Sequence, residues 1–253
     1  MGGAGVAFKL LLRGDVERVF LNDYDKSIYA FWFSVINYPE ELIELIEKTE
    51  ISVEEWFIQK EVQKNKNNTD NLLELGFSTL FLNRTNRSGI INAGIIGGKN
   101  QDGKYKLDCR FNKVALANLI REISKYKNVI KLYNVDASIF IKLHISKIRN
   151  SFTFFDPPYY KKGPILYTNF YNHEDHERLS VIIKNHMKDK IWIMTYDKEN
   201  EIYDLYSNYA YEVYYLRYSV SSPTKGMEYM FFSDLVDKGV VSNFLRIVEG
   251  TSK

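Results

Sequence analysis

Short apolar runs of strand length alternate along this chain with longer segments whose apolar residues recur at helical spacing. The strand-like runs lie at residues 19–21, 129–133, 152–155 and 191–195, and helix-like segments lie between them. Such alternation predicts an α/β fold with a largely parallel sheet. With 253 residues, the chain can bury one sizeable core, or one catalytic core that carries a smaller insertion.

The helix-like segments and one glycine-rich stretch indicate how the chain is divided. Apolar spacing predicts helices over residues 6–12, 28–35, 40–49, 72–81, 113–126 and 179–187, and an antiparallel strand pair over 211–218 and 228–232. Ser52 and Glu55 have the spacing of a capping box, which begins a further helix. Between residues 83 and 112, glycines separate polar and basic residues, which predicts hairpins and loops. We expect residues 1–37 and 129–253 to form the catalytic core and residues 38–128 to form an inserted region.

The charge balance and the single cysteine narrow the class of protein. The formal net charge is only +2, so the total charge does not indicate a nucleic-acid binder, and the distribution of charge matters more. Cys109 is the only cysteine, which excludes an internal disulfide and fits a reducing compartment. No apolar run approaches the ~20 residues that span a bilayer, and the N-terminus lacks the pattern of a signal peptide. We therefore expect a cytoplasmic protein without membrane contact.

The segment Asp156-Pro157-Pro158-Tyr159 follows the apolar run 152–155 and carries the strongest chemical signal in the sequence. Open α/β sheets bind ligands at the C-terminal ends of their strands, where this loop would lie. Two prolines fix φ and remove two backbone donors, which leaves carbonyl acceptors beside one carboxylate and one aromatic ring. Such a loop suits an amino group on a flat ring, because two acceptors can take the amino hydrogens while the ring stacks on the tyrosine. The structural alternative is a rigid turn whose aspartate caps a helix.

This tetrapeptide resembles the catalytic motif of amino-methyltransferases, and nearly the whole chain is similar, in order, to the Dam-like DNA adenine-N6 methyltransferases. The other similar segments are Gly2-Gly3-Ala4-Gly5-Val6-Ala7, Asn22-Asp23, Leu82-Asn83-Arg84-Thr85-Asn86-Arg87-Ser88-Gly89, Asp136, Tyr167-Thr168-Asn169-Phe170 and residues 173–179. The resemblance implies a Rossmann-like sheet that uses S-adenosylmethionine, with an inserted DNA-recognition region and double-stranded DNA as partner. It also implies direct transfer, in which a flipped-out adenine stacks on Tyr159 and its amino hydrogens are accepted by Asp156 and the Pro157 carbonyl.

The glycines at the start of the chain, Gly2, Gly3 and Gly5, are the candidates for the cofactor loop. Glycine permits a backbone to approach a ligand closely at a helix N-terminus, although a flexible chain start explains the same composition. Asp23 lies about 20 residues later at the end of a strand-like run, which is the spacing at which an acid binds ribose hydroxyls. The resemblance adds Asp136 as the acid beside the cofactor adenine.

Basic residues are concentrated in the glycine-rich stretch. The stretch and the residue that follows it contain Arg84, Arg87, Lys99, Lys104, Lys106, Arg110 and Lys113, against only two acids, Asp102 and Asp108. Basic side chains bind phosphates, and arginine can also read guanine edges. A solvated loop is the alternative for each single lysine. The resemblance favours DNA contact for Arg84, Asn86, Arg87, Ser88 and Arg110.

Two further polar motifs leave alternatives open. His173-Glu174-Asp175-His176 places two histidines at helical spacing, which permits a metal site, but Asn172 can cap a helix there and acids in its first turn complement the dipole. We expect a helix start and no metal. Tyr196-Asp197 follows a strand-like run and either lines the pocket for the target base or forms a strand-end turn.

The sequence departs from the resemblance at its start. Members of the family carry a lysine-containing cofactor segment and a complete first strand before the glycine loop, whereas this sequence begins inside that loop. We therefore expect this chain alone to bind S-adenosylmethionine poorly, and an upstream segment, in cis or in trans, to improve binding. A catalytically impaired DNA-binding relic or fragment, and a methyltransferase for RNA or protein amides, stay open as alternatives. A restriction endonuclease as partner and the DNA recognition sequence also stay open.

Overall fold

Parallel and antiparallel strand pairs occur together in this chain, and they form a two-stranded and a five-stranded sheet. The computed structural model describes residues 2–161, 171–217, 225–237 and 245–250. The chain divides into two units, Met1–Val135 and Asp136–Lys253. Within the described ranges, no helix is both long and apolar enough to cross a membrane.

The first unit combines helices with a pair of parallel strands. Its elements are α1 (Gly5–Leu12), β1 (Val19–Asn22), α2 (Lys26–Asn37), α3 (Pro39–Lys48), α4 (Val53–Lys64), α5 (Leu72–Thr85), α6 (Lys113–Ser124) and β2 (Ile130–Tyr133). A turn of 3-10 helix at Arg87–Gly89 follows α5. In the sheet, Val19 lies opposite Ile130 and Asn22 lies opposite Tyr133.

Side-chain caps explain where the helices of this unit begin. The carboxylate of Asp25 accepts the N–H of Ser27 at 2.8 Å before α2. Ser52 accepts the N–H of Glu55 at 3.1 Å, which confirms the predicted helix start at α4. Such bonds satisfy backbone donors that have no partner inside the helix. Asn71 and Asn112 cap α5 and α6 in the same way.

A close contact between α2 and α5 organises the core of the first unit. Gly76 faces Ala30 and Ser34, and an ideal Cβ on Gly76 would lie 2.6 Å from the Ala30 carbonyl oxygen. Gln63 of α4 joins this contact through buried hydrogen bonds, since its amide oxygen accepts from Ser27 at 2.8 Å. Buried polar groups of this kind must be paired, so the three helices have one preferred arrangement.

The second unit places its strands in one sheet with the order β3-β4-β6-β5-β7. Its elements are α7 (Ala137–Leu143), β3 (Phe152–Phe155), α8 (His173–His186), β4 (Ile191–Asp197), α9 (Asn200–Tyr206), β5 (Ala210–Arg217), β6 (Lys225–Phe232) and β7 (Ile247–Gly250), with a 3-10 turn at Ile145–Lys147. Strand β3 pairs with β4 in parallel, and the remaining pairs are antiparallel. The predicted antiparallel pair near the end is confirmed as β5 and β6.

The structure corrects three expectations from the sequence. Among the described residues, only β1–β2 and β3–β4 are parallel, so the larger sheet is mostly antiparallel. Helix α5 continues to Thr85, where the side chain is buried and bonds to the carbonyl of Phe81 at 2.8 Å. In place of hairpins, the glycine-rich stretch shows a single isolated antiparallel bridge, Asn86 with Ile95, within the part of the chain described here.

The predicted division into a catalytic core and an insertion stays a prediction. Residues 38–128 lie inside the first unit, where α3 and α6 pack together and α3 also packs on α2 and α5. Three short elements, α7, α9 and β7, were not predicted from the sequence.

Candidate active site

The loop that follows β3 presents Asp156 to solvent. Asp156 is exposed, Pro157 is buried, and Pro158 and Tyr159 are half-buried. Thr195 of the neighbouring strand β4 lies near this carboxylate, with Oγ1 3.5 Å from Oδ1 of Asp156, at the long limit of a hydrogen bond. The loop therefore combines an accessible carboxylate with a half-buried aromatic ring.

Asp197 at the end of β4 holds the backbone just beyond this loop. Its Oδ1 accepts the N–H of Tyr160 at 2.8 Å, and its Oδ2 accepts the N–H of Lys161 at 3.0 Å. The side chain of Lys161 forms a separate ion pair with Glu199 at 2.8 Å. Asp197 is buried, and the two backbone N–H groups give each of its oxygens a protein donor.

Glu228 of β6 holds the aromatic residue of the loop. The hydroxyl of Tyr159 donates to Oε1 of Glu228, and the hydroxyl of Tyr214 donates to Oε2 at 2.7 Å. Glu228 is only 2% exposed, which makes it a buried carboxylate with two phenolic donors. Sequence reasoning did not single out Glu228, although a single acid next to the apolar and aromatic run 229–232 was a signal that could have found it.

The start of the chain is joined to the end of β1. The N–H of Gly2 donates to Oδ2 of Asp23 at 3.1 Å, and Nε1 of Trp32 donates to the carbonyl oxygen of Gly2 at 2.9 Å. An ideal Cβ on Gly2, Gly3 or Gly5 meets no atom within 4 Å. Helix α1, which begins at Gly5, has no side-chain cap. Space and uncapped amides next to a carboxylate fit a ligand that carries hydroxyl groups and a negative charge.

Asp136 begins the second unit as the cap of α7. Its Oδ1 accepts the N–H of Ser138 at 2.8 Å. β2 ends at Tyr133, three residues before this cap. The structure thus gives Asp136 a capping role, and its contact with a cofactor stays a prediction.

Three arginines lie around the turn that follows α5. Burial, followed by the charge of Arg110, lowers the pKa of the Arg84 guanidinium. An ideal Cβ on Gly89 would lie 3.3 Å from a terminal nitrogen of Arg110, and one on Gly94 would lie 2.6 Å from a terminal nitrogen of Arg87. Glycine at both positions therefore leaves room for guanidinium groups. Two cations close together favour an anionic ligand between them.

Asn86 and Ser88 occupy different places in this turn. Asn86 is fully buried, and its Oδ1 accepts from Nε1 of Trp56 at 2.6 Å while its amide donates to the carbonyls of Ile90 and Ile91. Such a side chain shapes the loop and has no free group to offer to a base. Ser88, by contrast, is exposed and adopts a left-handed conformation with φ of 56°.

A family model for D12 class N6 adenine-specific DNA methyltransferases matches residues 1–220 of this chain. The chain belongs to this family. The Type II methyltransferase M.MjaIII of Methanocaldococcus jannaschii is 26% identical over 170 residues, which cover 63% of this chain and 56% of that protein. The chain therefore spans little more than half the length of the relative that it matches.

In this member of the D12 class family, the two remaining polar motifs are residues 173–176 and Tyr196-Asp197, and both form contacts within the protein. Asn172 and Asp175 form a capping box that begins α8, which confirms the predicted helix start. His176 is fully buried and its Nδ1 lies 2.7 Å from the hydroxyl of Tyr196. Burial lowers the pKa of His176 to about 4, which favours the neutral imidazole. In the described parts of the chain, no group of three or more acids, histidines or cysteines could hold a metal ion.

The segment after the Asp156 loop that resembles the family lies only partly among the described residues. Residues 167–170 lie outside the described residues, whereas residues 173–179 form the first half of α8. Tyr196 and Asp197 belong to β4 and are both buried, so they do not form a strand-end turn beyond the sheet. The structure brings Asp197 to the backbone that follows the Asp156 loop, and Tyr196 to His176.

Proposed function

We propose that this chain transfers a methyl group from S-adenosylmethionine to N6 of adenine in double-stranded DNA. The observation that carries the proposal is the loop after β3, where the exposed carboxylate of Asp156 precedes a buried proline and a tyrosine held through its hydroxyl. Membership of the D12 class supports the same chemistry.

The residues of the loop have separate parts in the proposed reaction. Asp156 and the carbonyl of Pro157 accept the two amino hydrogens of adenine, and Tyr159 stacks on the base. This orients the lone pair of N6 and increases its electron density. S-adenosylmethionine supplies an electrophilic methyl group on a sulfonium sulfur. Transfer would form the N6–C bond at the expense of the S–C bond, with a neutral thioether as the leaving group and one amino proton lost to solvent.

The start of the chain would hold the cofactor. Gly2, Gly3 and Gly5 leave open space at their Cα atoms, and the first amides of α1 have no side-chain cap. Asp23 would accept from the ribose hydroxyls, because an ionised carboxylate is an acceptor-only group. Its oxygens also accept the backbone N–H groups of Gly2 and Asp25, which place it beside the glycine loop. Asp136 would contribute beside the adenine of the cofactor.

The arginine-rich turn would contact DNA. Arg87 and Arg110 are exposed, and Arg84 is half-buried beside Arg110. We assign base or phosphate contact to these three and to Ser88, and we assign to Asn86 the shaping of the loop that carries them. Residues 38–128 would thus be the recognition insertion of a Rossmann-like methyltransferase. A restriction endonuclease as partner of this chain stays a prediction.

The test is methylation of plasmid DNA prepared from a host that lacks adenine methylation. The full chain is incubated with this plasmid and S-adenosylmethionine, and the digested nucleosides are separated and identified by mass spectrometry. We expect N6-methyladenine in a reproducible sequence context. Methylation of an RNA transcript or of a protein, with none in DNA, would replace the proposed substrate with one of the alternatives.

A further inference from the structure

A row of polar side chains crosses three strands beneath the catalytic loop. Asp197 of β4 lies directly opposite Glu228 of β6, and Glu228 lies directly opposite Tyr214 of β5. Directly opposite residues of antiparallel strands project from the same face of a sheet. Thr195 lies two residues before Asp197 and therefore projects from that face as well.

The two carboxylates of this row are unfavourable unless donors surround them. Asp197 is 7% exposed and Glu228 is 2% exposed. Like charges directly opposite each other destabilise a sheet, and a buried charge is costly without hydrogen bonds. The catalytic loop supplies donors to both carboxylates, namely the backbone N–H groups of Tyr160 and Lys161 and the hydroxyl of Tyr159.

The composition of the loop explains why it needs partners from the sheet. Pro157 and Pro158 have no N–H, so this stretch has fewer backbone donors with which to form hydrogen bonds of its own. Tyr160 and Lys161 follow the prolines closely, and Asp197 accepts from both. Glu228 then holds the far end of the Tyr159 ring. Tyr159 is thereby held at both ends, because Asp197 binds the backbone that follows it and Glu228 binds its hydroxyl.

We infer that Asp197 and Glu228 are positioning residues that hold the catalytic loop ready for adenine. Asp197 orders the backbone after the prolines, and Glu228 sets the orientation of the Tyr159 ring. The inference rests on the proposed function for its catalytic consequence, because a ring that is already oriented can stack on a flipped base without an ordering cost. Neither residue touches the reacting atoms.

The first experiment tests the backbone clamp without reference to activity. Amide hydrogen exchange of residues 160 and 161 is compared in the full chain and in Asp197→Ala. Hydrogen bonds to a carboxylate are strong, so exchange should be about tenfold faster or more in the variant. Glu199→Ala is the matched control, since it removes the ion pair of Lys161 and leaves the backbone bonds in place. Equal exchange in the parent protein and Asp197→Ala would overturn the role of Asp197.

The second experiment tests Glu228 through a double-mutant cycle. Tyr159→Phe and Glu228→Ala should each lower kcat about tenfold, and the double variant should lose little more, because both changes remove the same hydrogen bond. Losses that multiply would show that Glu228 acts through general stability and would overturn its positioning role. Glu228→Gln keeps one acceptor oxygen and should lose less than Glu228→Ala. It also replaces the alanine variant in the cycle if that variant does not fold.

These experiments separate the inference from the proposed function. If the full chain methylates no DNA, the proposed function fails. In that case the same cycle is measured in the free energy of unfolding, where coupling between Tyr159→Phe and Glu228→Ala supports the contact and its absence overturns it. Tyr214→Phe is the control for the loss of a hydrogen bond to Glu228 that does not involve the loop. It removes the other hydroxyl that Glu228 binds and leaves Tyr159 unchanged.

Discussion

The N–H of Gly2 donates to Oδ2 of Asp23 at 3.1 Å, across 21 residues of sequence. The other oxygen of this carboxylate accepts the N–H of Asp25 at 3.0 Å. The proposed glycine loop and the proposed ribose acceptor therefore belong to one hydrogen-bonded unit at the end of β1. Removal of this carboxylate should loosen the loop and also remove a ligand of the cofactor.

Asp23→Ala should weaken binding of S-adenosylmethionine by roughly 10- to 100-fold, the equivalent of one or two charge-assisted hydrogen bonds. Isothermal titration calorimetry of the full chain measures this change. Asp15→Ala is the control, because Asp15 is an exposed acid of the same unit that pairs with Arg13 on the surface. Equal affinity in all three proteins would remove Asp23 from the cofactor site.

Asp156→Ala should abolish methyl transfer and leave the fold and the affinity for DNA nearly unchanged. Asp156 is exposed, so little packing depends on its carboxylate. Methyl incorporation into plasmid DNA measures activity, and thermal unfolding checks the fold. Asp189→Ala changes another exposed acid of the second unit and should stay active. Activity of Asp156→Ala within a few-fold of the parent protein would refute the catalytic assignment.

Arg87→Ala should show whether the turn after α5 reads bases or binds phosphates. A base contact predicts a loss of about 1–3 kcal/mol at one position of the recognition sequence. A phosphate contact predicts an even loss across sequences and a shallower dependence on salt. Binding is measured by fluorescence anisotropy at several salt concentrations. Arg121→Ala lies in the same unit but pairs with Glu40, so it should not change either quantity. If Arg87→Ala also changes neither, the turn is not the DNA reader.

Gly76→Ala should destabilise the first unit by about 1–3 kcal/mol, because the added methyl group overpacks the contact between α2 and α5. Its Cβ would lie 2.4 Å from Oγ of Ser34 and 2.6 Å from the backbone oxygen of Ala30. Urea unfolding gives the free energy of unfolding. Gly5→Ala is the control, since its Cβ meets no atom within 4 Å and stability should be retained. A stable Gly76→Ala protein would show that the helices can separate without cost.

Stability should fall in mild acid because of His176. Its folded pKa of about 4 lies below the ~6.5 of an unfolded histidine, as burial and then the nearby His173 disfavour the charge while Asp175 favours it. The unfolded chain therefore binds the proton first, and stability is lost as the pH falls from about 6.5 towards 4, by up to about 3 kcal/mol. His176→Gln should have a flatter profile of unfolding free energy against pH, whereas His186→Gln, an exposed histidine of the same helix, should not. Identical profiles for all three proteins would contradict this assignment.

Features that depend on nearby residues were predictable from the sequence. The helix starts at Ser52 and Asn172 follow from a capping residue and an acid three residues later. Both helices begin there in the structure. The antiparallel pair β5–β6 follows from two apolar stretches. The Asp156 loop was predicted because prolines after an apolar run restrict the backbone wherever they occur. The arginine cluster was predicted from composition, but the buried amide of Asn86 was not, since only packing brings Trp56 to it.

The sequence by itself determined the longer helices, most strands and the loop that carries Asp156, because capping, periodicity and proline geometry act over a few residues. The tertiary structure alone decided which residues hold that loop. Asp197 reaches Tyr160 across 37 residues, and Glu228 reaches Tyr159 across 69. Both contacts depend on the order β3-β4-β6 and on a register that sets Asp197 opposite Glu228. A shift of one residue would turn these carboxylates to the other face of the sheet, and register is a property of paired strands that no single strand specifies.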